Sequence, residues 1–371
     1  MFKRITKYIG PTLLCFVLVE ATARFSFDGS ESPVQPDEVL NHVWKPNYER
    51  LVDRFTSVGI PPYKKITNSQ NWLSTRDYSP IKNDKTFRII YVGDSFTEGT
   101  CDVEQTLPAI VEKELTMPPG HSVEVINTGT SSYSPTLYYL LLKTRLLRFN
   151  PDLIVMNVDM TDVFDDSLYR ETLETDEAGD PIACHPGHPA LETHRRTARG
   201  LEELTSLQQV VLQLAKVSKA FELLLIKVMQ SRKHDVFQAG QVPPLFAWCA
   251  LERDEKVDGD VRWSMLMLRR GIRLAKSKDI KIVVTAVPHL QQFQGHWSLR
   301  PMEELERLCK EEKIPFLNPI SEMRQRLGAT PLESIYIPGD MHFNATGYRL
   351  WADVQLSFLS KLTGTDFSPP L

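Results

Sequence analysis

The run FRIIYVGDS, residues 87–95, decides the fold of this chain. Its first six residues are a short stretch rich in β-branched and aromatic side chains, which is typical of a buried strand. The stretch stops at a glycine and an aspartate, and a helical pattern follows from Leu107 to Leu115. The sequence therefore predicts a strand that leads through a turn into helical structure, with Ser95 at the turn.

The same alternation continues towards the end of the chain. Further strands are predicted at 123–126, 153–158, 280–287 and 315–317. Helices are predicted between and after them, at 135–149, 262–278, 301–312 and 344–362. This pattern indicates parallel βαβ units in a flavodoxin-like α/β fold, a three-layer α/β/α sandwich with a parallel sheet. Sites in such sheets form beyond the carboxyl ends of the strands, so Ser95, Gly129 and the residues after Val158 are expected at one edge.

One long stretch interrupts this alternation, between about residues 165 and 260. It holds acidic and His-containing loop sequence and then an apolar helical run, 201–229. We interpret it as a helical insertion into a single domain that spans 86–365. The insertion would lie over the site as a lid or touch a membrane surface, and its apolar run is either a packing surface or a membrane face.

The residues before this domain, 28–85, are predicted to be a linker and a wrapping segment. Residues 28–45 are polar and contain proline, so they are interpreted as a spacer. Residues 44–78 carry aromatic side chains but no sustained period, which predicts an irregular segment packed on the main domain.

The N-terminal segment, 1–27, has the composition of a signal or a membrane anchor. Three basic residues precede an apolar run, 9–19, and the small-residue triplet 21–23 follows it. A cleaved secretory signal, an uncleaved anchor and a buried helix all remain open, because the run is shorter than the roughly 20 apolar residues of a spanning helix. An uncleaved anchor would hold the protein on the extracytoplasmic side of a membrane, which is the periplasmic side in a bacterium, and a cleaved signal would release it there.

Composition excludes one class of function. The 371 residues are 42% hydrophobic and 24% charged, with a formal net charge of -4 and no polybasic run, which argues against nucleic-acid binding. The five cysteines are scattered, so one disulfide is compatible with an oxidising compartment, but its pairing is not predictable.

A serine at a strand-to-helix turn is well placed to attack a carbonyl. Unpaired N–H groups at the start of the helix would receive a developing oxyanion next to Ser95. A hydroxyl needs a base, and the run DMHFNATGY, residues 340–348, offers one before the last helix. His342 would take the proton of Ser95, and Asp340 would orient the imidazole and stabilise its cation. Asn344 has the position of a helix N-cap.

These blocks resemble the SGNH (GDSL) hydrolase superfamily, in its membrane-anchored or exported bacterial type. Residues 92–99, VGDSFTEG, are similar to the first block of the family, and 127–129, NTG, to the second. Asp340 and His342 resemble the last block. The resemblance covers 86–162 and 262–352, and the approach sequence 67–78 is similar to membrane-anchored bacterial members. It implies a carboxylic ester hydrolase or acyltransferase without metal or cofactor, in which the Gly129 N–H lines the oxyanion hole.

The chain departs from the family at two places. The third block usually reads Gly-x-Asn-Asp, whereas residues 157–162 read NVDMTD, and Asn157 comes too early in the strand. Thr161 or Asp162 falls nearest to the expected oxyanion position, with the Thr161 hydroxyl as the substitute donor and Asp162 either protonated or turned away. The acid and base are spaced Asp-x-His, a form shared with some membrane-associated acetyl-transferring relatives.

Structural roles compete with these assignments. Ser95 alone could be an ordinary N-cap, and His342 a loop histidine. His289, after a predicted strand, either shapes a substrate pocket or is structural. Two further groups contain residue types that can bind a metal, but we favour other interpretations of them. The His-rich loop at 184–194 is interpreted as a polar surface loop. A set of acids is interpreted as a solvated turn (Asp159, Asp162, Asp165 and Asp166).

Three functions follow from the sequence. The first is an exported serine esterase that removes O-acyl groups, acetyl foremost, from a glycan or another envelope ester. The second is a polysaccharide O-acetyltransferase that uses the same acyl-enzyme. The third is a glycan-binding or scaffold protein that has lost the activity. Expected partners are an acylated glycan or small ester and, through the N-terminal segment, a membrane. The oligomeric state is not predicted.

Overall fold

The computed structural model of this protein describes residues 33–186 and 242–366, together with Cys15, residues 17–22, Ser218 and Ala220. The chain forms two compact units. The main unit comprises Val34–Arg195 and Val242–Leu371, and the smaller unit comprises Met1–Pro33 and Arg196–Gln241. Each unit is considered separately below.

The described strands all belong to the main unit. In chain order they are β1 (Val34–Asp37), β2 (Asn41–Trp44), β3 (Glu49–Val52), β4 (Tyr63–Ile66), β5 (Thr86–Val92), β6 (Ser122–Asn127), β7 (Leu153–Val158), β8 (Leu173–Thr175), β9 (Pro181–Cys184), β10 (Lys281–Ala286) and β11 (Phe316–Leu317).

The described α-helices of this unit are α1 (Ser95–Glu98), α2 (Leu107–Glu114), α3 (Pro135–Leu141), α4 (Asp162–Tyr169), α5 (Glu255–Lys276), α6 (Leu290–Phe293), α7 (Arg300–Glu312), α8 (Ile320–Leu327) and α9 (Ala345–Asp366). Short 3₁₀ segments lie at Thr56–Val58, Val103–Gln105, Arg170–Thr172, Pro244–Cys249 and Leu332–Ile335.

A five-stranded parallel sheet forms the centre of the main unit, in the order β11-β10-β7-β5-β6. Renumbered along the chain this is 2-1-3-4-5, the flavodoxin-like order, and it confirms the predicted fold class. Every residue of β7 is buried, because a central parallel strand is covered on both faces. Helix α9 packs on α2, while α3, α4 and α7 pack on α5, so helices cover the sheet on both sides.

Two predicted helices differ in their bounds for identifiable reasons. Helix α5 begins seven residues before the expected position, because Asp254 caps it by accepting a hydrogen bond from the Val257 amide at 2.8 Å. The helix expected at 135–149 is α3 followed by a π-helical turn, Leu142–Leu146, and a 3₁₀ turn, Leu147–Phe149. Asn150 ends it in the left-handed region, at φ 51°.

The expected spacer is wrong for residues 34–44. Strands β1 and β2 pair antiparallel, and all four residues of β2 are buried. The hairpin is tied to the rest of the unit by backbone groups, since the Cys184 amide donates to the Val39 carbonyl at 2.9 Å and the Tyr133 hydroxyl donates to the His42 carbonyl at 2.6 Å. The following segment also contains a second antiparallel hairpin, β3–β4, where an irregular chain was expected.

The expected insertion is narrower than predicted. Helix α4, strands β8 and β9 and the first residues of α5 belong to the main unit, so 165–186 and 242–260 are part of the domain itself. The apolar run 201–229 and the two histidines His188 and His194 lie outside the described residues, Ser218 and Ala220 excepted. A lid or membrane role for this stretch stays a prediction.

Little of the smaller unit is described. Residues 17–22 are helical, and the Glu20 carboxylate accepts hydrogen bonds from the Ser218 hydroxyl at 2.8 Å and the Ala220 amide at 3.1 Å. Among the residues that the structure describes, no helix combines the length and the apolar character needed to cross a membrane. Whether the N-terminal segment is a signal or an anchor stays a prediction.

The cysteines of the main unit are buried and not disulfide-bonded: Cys101, Cys184, Cys249 and Cys309. Burial raises the pKa of the Cys101 and Cys309 thiols to about 12. Because none of these described cysteines is paired, the disulfide considered from the sequence is not present among them.

Leu40→Ala tests whether the first hairpin belongs to the core. Leu40 is 0% exposed and bridges to Cys184, so truncation should lower the free energy of unfolding by about 2–5 kcal/mol. Leu51→Ala, in the next hairpin at 56% exposure, is the matched control and should change it by less than about 0.5 kcal/mol. Urea unfolding measures the free energy of unfolding of both variants. Equal midpoints for the two would show that residues 34–44 are a spacer and not part of the core.

Candidate active site

Ser95 is the first residue of α1, directly beyond the carboxyl end of β5. The Asp94 carboxylate caps this helix by accepting a hydrogen bond from the Phe96 amide at 2.9 Å. Gly93 is required at the turn, because a Cβ there would lie 2.0 Å from Thr97 Oγ1 and 3.1 Å from the Asn157 carbonyl oxygen. The turn therefore folds α1 back tightly over the end of the sheet.

His342 lies on the loop that precedes α9. Asn344 fixes this loop, since its side-chain oxygen accepts from the Gly347 amide at 3.1 Å and its side-chain NH₂ donates to the Ser334 carbonyl at 2.8 Å. Thr100, just after α1, donates its hydroxyl to the Phe343 carbonyl at 2.6 Å. The predicted N-cap Asn344 is thus present, and the two loops are joined directly.

The structure brings Ser95, His342 and Asp340 together in one row. Ser95 Oγ lies 2.8 Å from His342 Nε2, and His342 Nδ1 lies 2.5 Å from Asp340 Oδ1. Asp340 Oδ1 also accepts from the His342 amide at 3.1 Å. This is the geometry of a nucleophile, a base and a group that orients the base.

Asp340 remains ionised in this row. Burial alone would raise its pKa, but the charge of the adjacent His342 imidazole and the hydrogen bonds from it outweigh burial and hold the pKa of Asp340 well below its usual range. An ionised carboxylate only accepts hydrogen bonds, so the proton of a neutral His342 resides on Nδ1. The Nε2 lone pair then faces the Ser95 hydroxyl.

The Gly129 amide, which the sequence suggested as an oxyanion donor, has a partner within the protein, and that role stays a prediction. It donates to the Asn127 side-chain oxygen at 3.0 Å, within the loop after β6. A Cβ at Gly129 would lie 2.3 Å from the Glu98 backbone nitrogen, so the missing side chain serves close packing of this loop on α1. The Ser95 amide, at the first position of a helix, belongs to the N–H groups without an intrahelical partner.

The substitutes expected from the third block are also engaged elsewhere. The Thr161 hydroxyl donates to Asp159 Oδ2 at 2.5 Å, because that buried carboxylate needs donors. Asp162 is fully buried and turned towards the Tyr138 hydroxyl, 3.1 Å away, and the Asp159 amide, 3.2 Å away. Asn157 lies within β7, as expected, and its side chain binds Thr97 and Thr285. The expectation of Thr161 as an oxyanion donor is therefore corrected.

The acids near the site do not form a solvated turn, contrary to our interpretation of the sequence. Asp159, Asp162, Asp165 and Asp166 are at most 2% exposed. Oxygens of Asp94, Asp159 and Asp162 lie within 4.8 Å of one another, and among the described residues they are the group spaced closely enough to ligate a cation. Hydrogen bonds from the protein already engage each of these three carboxyls.

His289 controls the charge of this acidic group. Its Nε2 lies 2.6 Å from Asp159 Oδ1, and both side chains are at most 1% exposed. Burial raises the pKa of Asp94 and Asp162 well above the usual value, and the neighbouring carboxylates add to that shift. Burial acts in the same direction on Asp159, but the charge and hydrogen bond of His289, together with the hydrogen bonds from Thr161, outweigh it and lower the pKa of that carboxyl. Of the two roles considered for His289, these contacts favour the structural one.

The loop at 184–186 likewise has ordinary structural contacts. Cys184 is buried, with its thiol 3.4 Å from the Thr172 hydroxyl, and exposed His185 lies 2.7 Å from Glu174 and 3.4 Å from Glu38. The rest of that predicted loop lies outside the described residues.

Two charged residues at the end of the nucleophile helix α1 were missed. Lys65 and Glu98 form a buried ion pair, with Lys65 Nζ 2.8 Å from Glu98 Oε1. A signal was available: in the run YKKI of β4, alternate residues face inward, so Lys65 shares the buried side with Tyr63. A lysine on the inward face of a strand needs a buried anionic partner.

Asp166→Asn tests the charge state of the acidic helix α4. Burial raises the pKa of Asp166 to about 6, against hydrogen bonds from Ser134 and Thr136 that lower it. An unfolded aspartate ionises near about 3.9, so between these values the folded protein holds a proton that the unfolded chain has lost. The free energy of unfolding therefore falls as pH rises through this window.

We expect the unfolding free energy of the variant, relative to the unmodified protein, to increase by on the order of 2–3 kcal/mol from about pH 4 to about pH 7. Asp84→Asn, at an exposed site, is the control and should follow the unmodified protein at every pH. Urea unfolding across this range measures the difference, and a difference that does not vary with pH would show that Asp166 folds already ionised.

No protein-family model matches the chain, and no curated protein matches it. Similar solved structures include a lipase/acylhydrolase from Enterococcus faecalis, with 13% identity and a TM-score of 0.41 over 74% of this chain and 96% of that one.

Two further structures are similar at the same level. A GDSL-like lipase from Bacteroides thetaiotaomicron has 14% identity and a TM-score of 0.37 over 76% of this chain and 92% of that one. A catalytic mutant of an acetylxylan esterase from Geobacillus stearothermophilus has 11% identity and a TM-score of 0.40 over 73% and 92%. Lipases, acylhydrolases and esterases are thus what the fold is similar to.

Proposed function

We propose that this protein is a serine hydrolase that cleaves a carboxylic ester through an acyl-enzyme on Ser95. The observation that carries the proposal is the 2.8 Å contact between Ser95 Oγ and His342 Nε2, which joins residues 247 positions apart. A loop histidine or a helix N-cap would not need this partner. Asp340, ionised on the far side of the ring, completes the arrangement.

The reaction follows from these positions. His342 Nε2 takes the Ser95 proton while Oγ bonds to the ester carbonyl carbon, and Asp340 stabilises the imidazolium that forms. The tetrahedral adduct collapses, the ester C–O bond breaks, and His342 returns the proton to the leaving alcohol. Water then attacks the acyl-enzyme with His342 again as base, which releases the acid and restores Ser95.

The site offers fewer donors to the oxyanion than the sequence suggested. The Ser95 amide is the donor that the proposal uses, since the Gly129 amide and the Thr161 hydroxyl have partners within the protein. One missing donor costs about 3 kcal/mol of transition-state stabilisation, or roughly a hundredfold in rate. We infer a slow esterase, or one in which the substrate displaces the Asn127 side chain from the Gly129 amide.

The proposed substrate is an O-acyl ester, acetyl foremost, on a glycan or another molecule of the cell envelope. Support comes from the resemblance of residues 67–78 to membrane-anchored bacterial members of the SGNH superfamily and from the predicted N-terminal signal or anchor.

Ser95→Ala tests the nucleophile. A fluorophosphonate probe should label the unmodified protein, and 4-nitrophenyl acetate should be hydrolysed. The variant should lose labelling and at least about a thousandfold in kcat, because no other group replaces the attacking oxygen. Ser79→Ala, at an exposed serine, is the control and should keep both activities. An intact protein that is neither labelled nor active would favour the scaffold function.

Acyl transfer is the second candidate, favoured by the Asp340-x-His342 spacing. Both functions share the acyl-enzyme and differ in the acceptor. For the esterase, adding an oligosaccharide to protein and 4-nitrophenyl acetate should leave acetate as the product and the rate unchanged. Mass spectrometry of the sugar together with acetate release measures the partition. Acetylated oligosaccharide formed at the expense of acetate would replace the esterase by a transferase.

A further inference from the structure

The hairpin β3–β4 carries a lysine into the interior next to the end of helix α1. Lys65 is 5% exposed, while its neighbour Lys64 is exposed. The Lys65 ammonium lies 5.9 Å from the ring centres of Trp44 and of Tyr63. A buried ammonium is costly unless partners offset its desolvation. The identity of those partners therefore indicates the role of Lys65.

Both partners of Lys65 lie at the end of α1. Its Nζ is 2.8 Å from Glu98 Oε1 and also donates to the Gly99 carbonyl. Glu98 is the last residue of the helix, and Gly99 ends it at φ 86°. A cation at the carboxyl end of a helix is favourable, because it meets the unpaired carbonyls there.

Helix α1 depends on such contacts. It is a single turn of four residues, closed by hydrogen bonds from the Glu98 amide to the Asp94 carbonyl at 2.9 Å and from the Gly99 amide to the Ser95 carbonyl at 3.0 Å. One turn is not stable by itself. Asp94 caps its beginning, and Lys65 binds its end.

Glu98 extends the link to the loop after β6. Its Oε2 accepts from the Ser131 amide at 3.0 Å and from the Ser131 hydroxyl at 2.6 Å. The same loop packs on α1 at Gly129, and the Ser131 carbonyl oxygen lies 3.0 Å from His42 Nε2 of β2. Two side chains of the N-terminal hairpins therefore hold the loop that lies against the nucleophile helix.

We propose that Lys65 is a positioning residue for Ser95: its ammonium holds the end of α1 and, through Glu98, the 129–131 loop in the geometry in which Ser95 Oγ meets His342. This inference rests on the proposed function and deepens it. Lys65 acts through Glu98 and Gly99, so it affects the reactivity of Ser95 and not the acid–base properties of the His342–Asp340 pair. A displacement of the nucleophile by about 1 Å can cost roughly a hundredfold in rate.

The test compares four proteins: the unmodified chain, Lys65→Met, Lys64→Met and the double variant Lys65→Met/Glu98→Gln. Lys64 is the matched control, since its Nζ pairs with Glu49 at 2.7 Å on the outside of the same hairpin. Lys65→Met leaves Glu98 buried without its cation and should unfold at lower urea. The double variant removes that unpaired charge and should regain much of this stability.

The decisive measurement is the second-order rate of fluorophosphonate labelling of Ser95 under conditions where each variant is folded, with kcat, KM and the pH profile on 4-nitrophenyl acetate. We expect the double variant to label about 10- to 100-fold more slowly, with kcat reduced to the same degree. KM should stay within about twofold and the pH profile should not shift, because the substrate surface and the His342–Asp340 pair are unchanged. Lys64→Met should behave as the unmodified protein.

Each outcome has a separate meaning. A double variant that is folded and labels at the unmodified rate would reduce Lys65 to a structural ion pair and leave the proposed function intact. A shifted pH profile would contradict action through position. An unmodified protein that is not labelled would overturn the proposed function itself, and the positioning role with it.

Discussion

The contact between Ser95 Oγ and His342 Nε2 depends on the order of the parallel strands and on the loops at their carboxyl ends. Strand β5 lies between β7 and β6, so the turn that follows it is surrounded by the loops of both neighbours. Helix α9 packs on α2 and brings the preceding loop, with His342, over the same edge. Thr100 ties that loop to the end of α1 by its hydrogen bond to the Phe343 carbonyl. A short contact between residues so far apart in the chain therefore requires the whole sheet order and the last helix.

Two histidine–aspartate pairs flank the ring of Phe96, and their burial gives them different roles. The Phe96 ring centre lies 4.8 Å from that of His342 and 5.2 Å from that of His289. The His342 side chain is 13% exposed and faces a serine, whereas that of His289 is 1% exposed and faces a fully buried carboxylate. The first pair can exchange a proton with a bound substrate. The second holds one charge inside a group of acids in which burial and mutual repulsion raise the pKa of the other two.

The two N-terminal hairpins help to hold the helix that carries the nucleophile. A one-turn helix has too few internal hydrogen bonds to define its own position, so charges outside it must do so. Lys65 from β4 and His42 from β2 provide contacts to the end of α1 and to the 129–131 loop. This arrangement also explains why a charged residue is tolerated in the interior, since both oxygens of Glu98 have donors and the lysine has two acceptors.

The sequence by itself determined the sheet, since strands such as 153–158 and the helices between them are recorded in local periodicity, and it identified Ser95, Asp340 and His342 as candidates from their motifs. Only the tertiary structure decided which donors remain at the site. The Gly129 amide, the Thr161 hydroxyl and the Asp162 carboxyl each have partners chosen by loop geometry and burial, which no period along the chain encodes. Lys65 was missed for the same reason: the alternation in β4 places it on the buried side, but its partner Glu98 lies on another element. Backbone periodicity is a local property, whereas the partner of a buried polar group is set by whatever the fold brings to it.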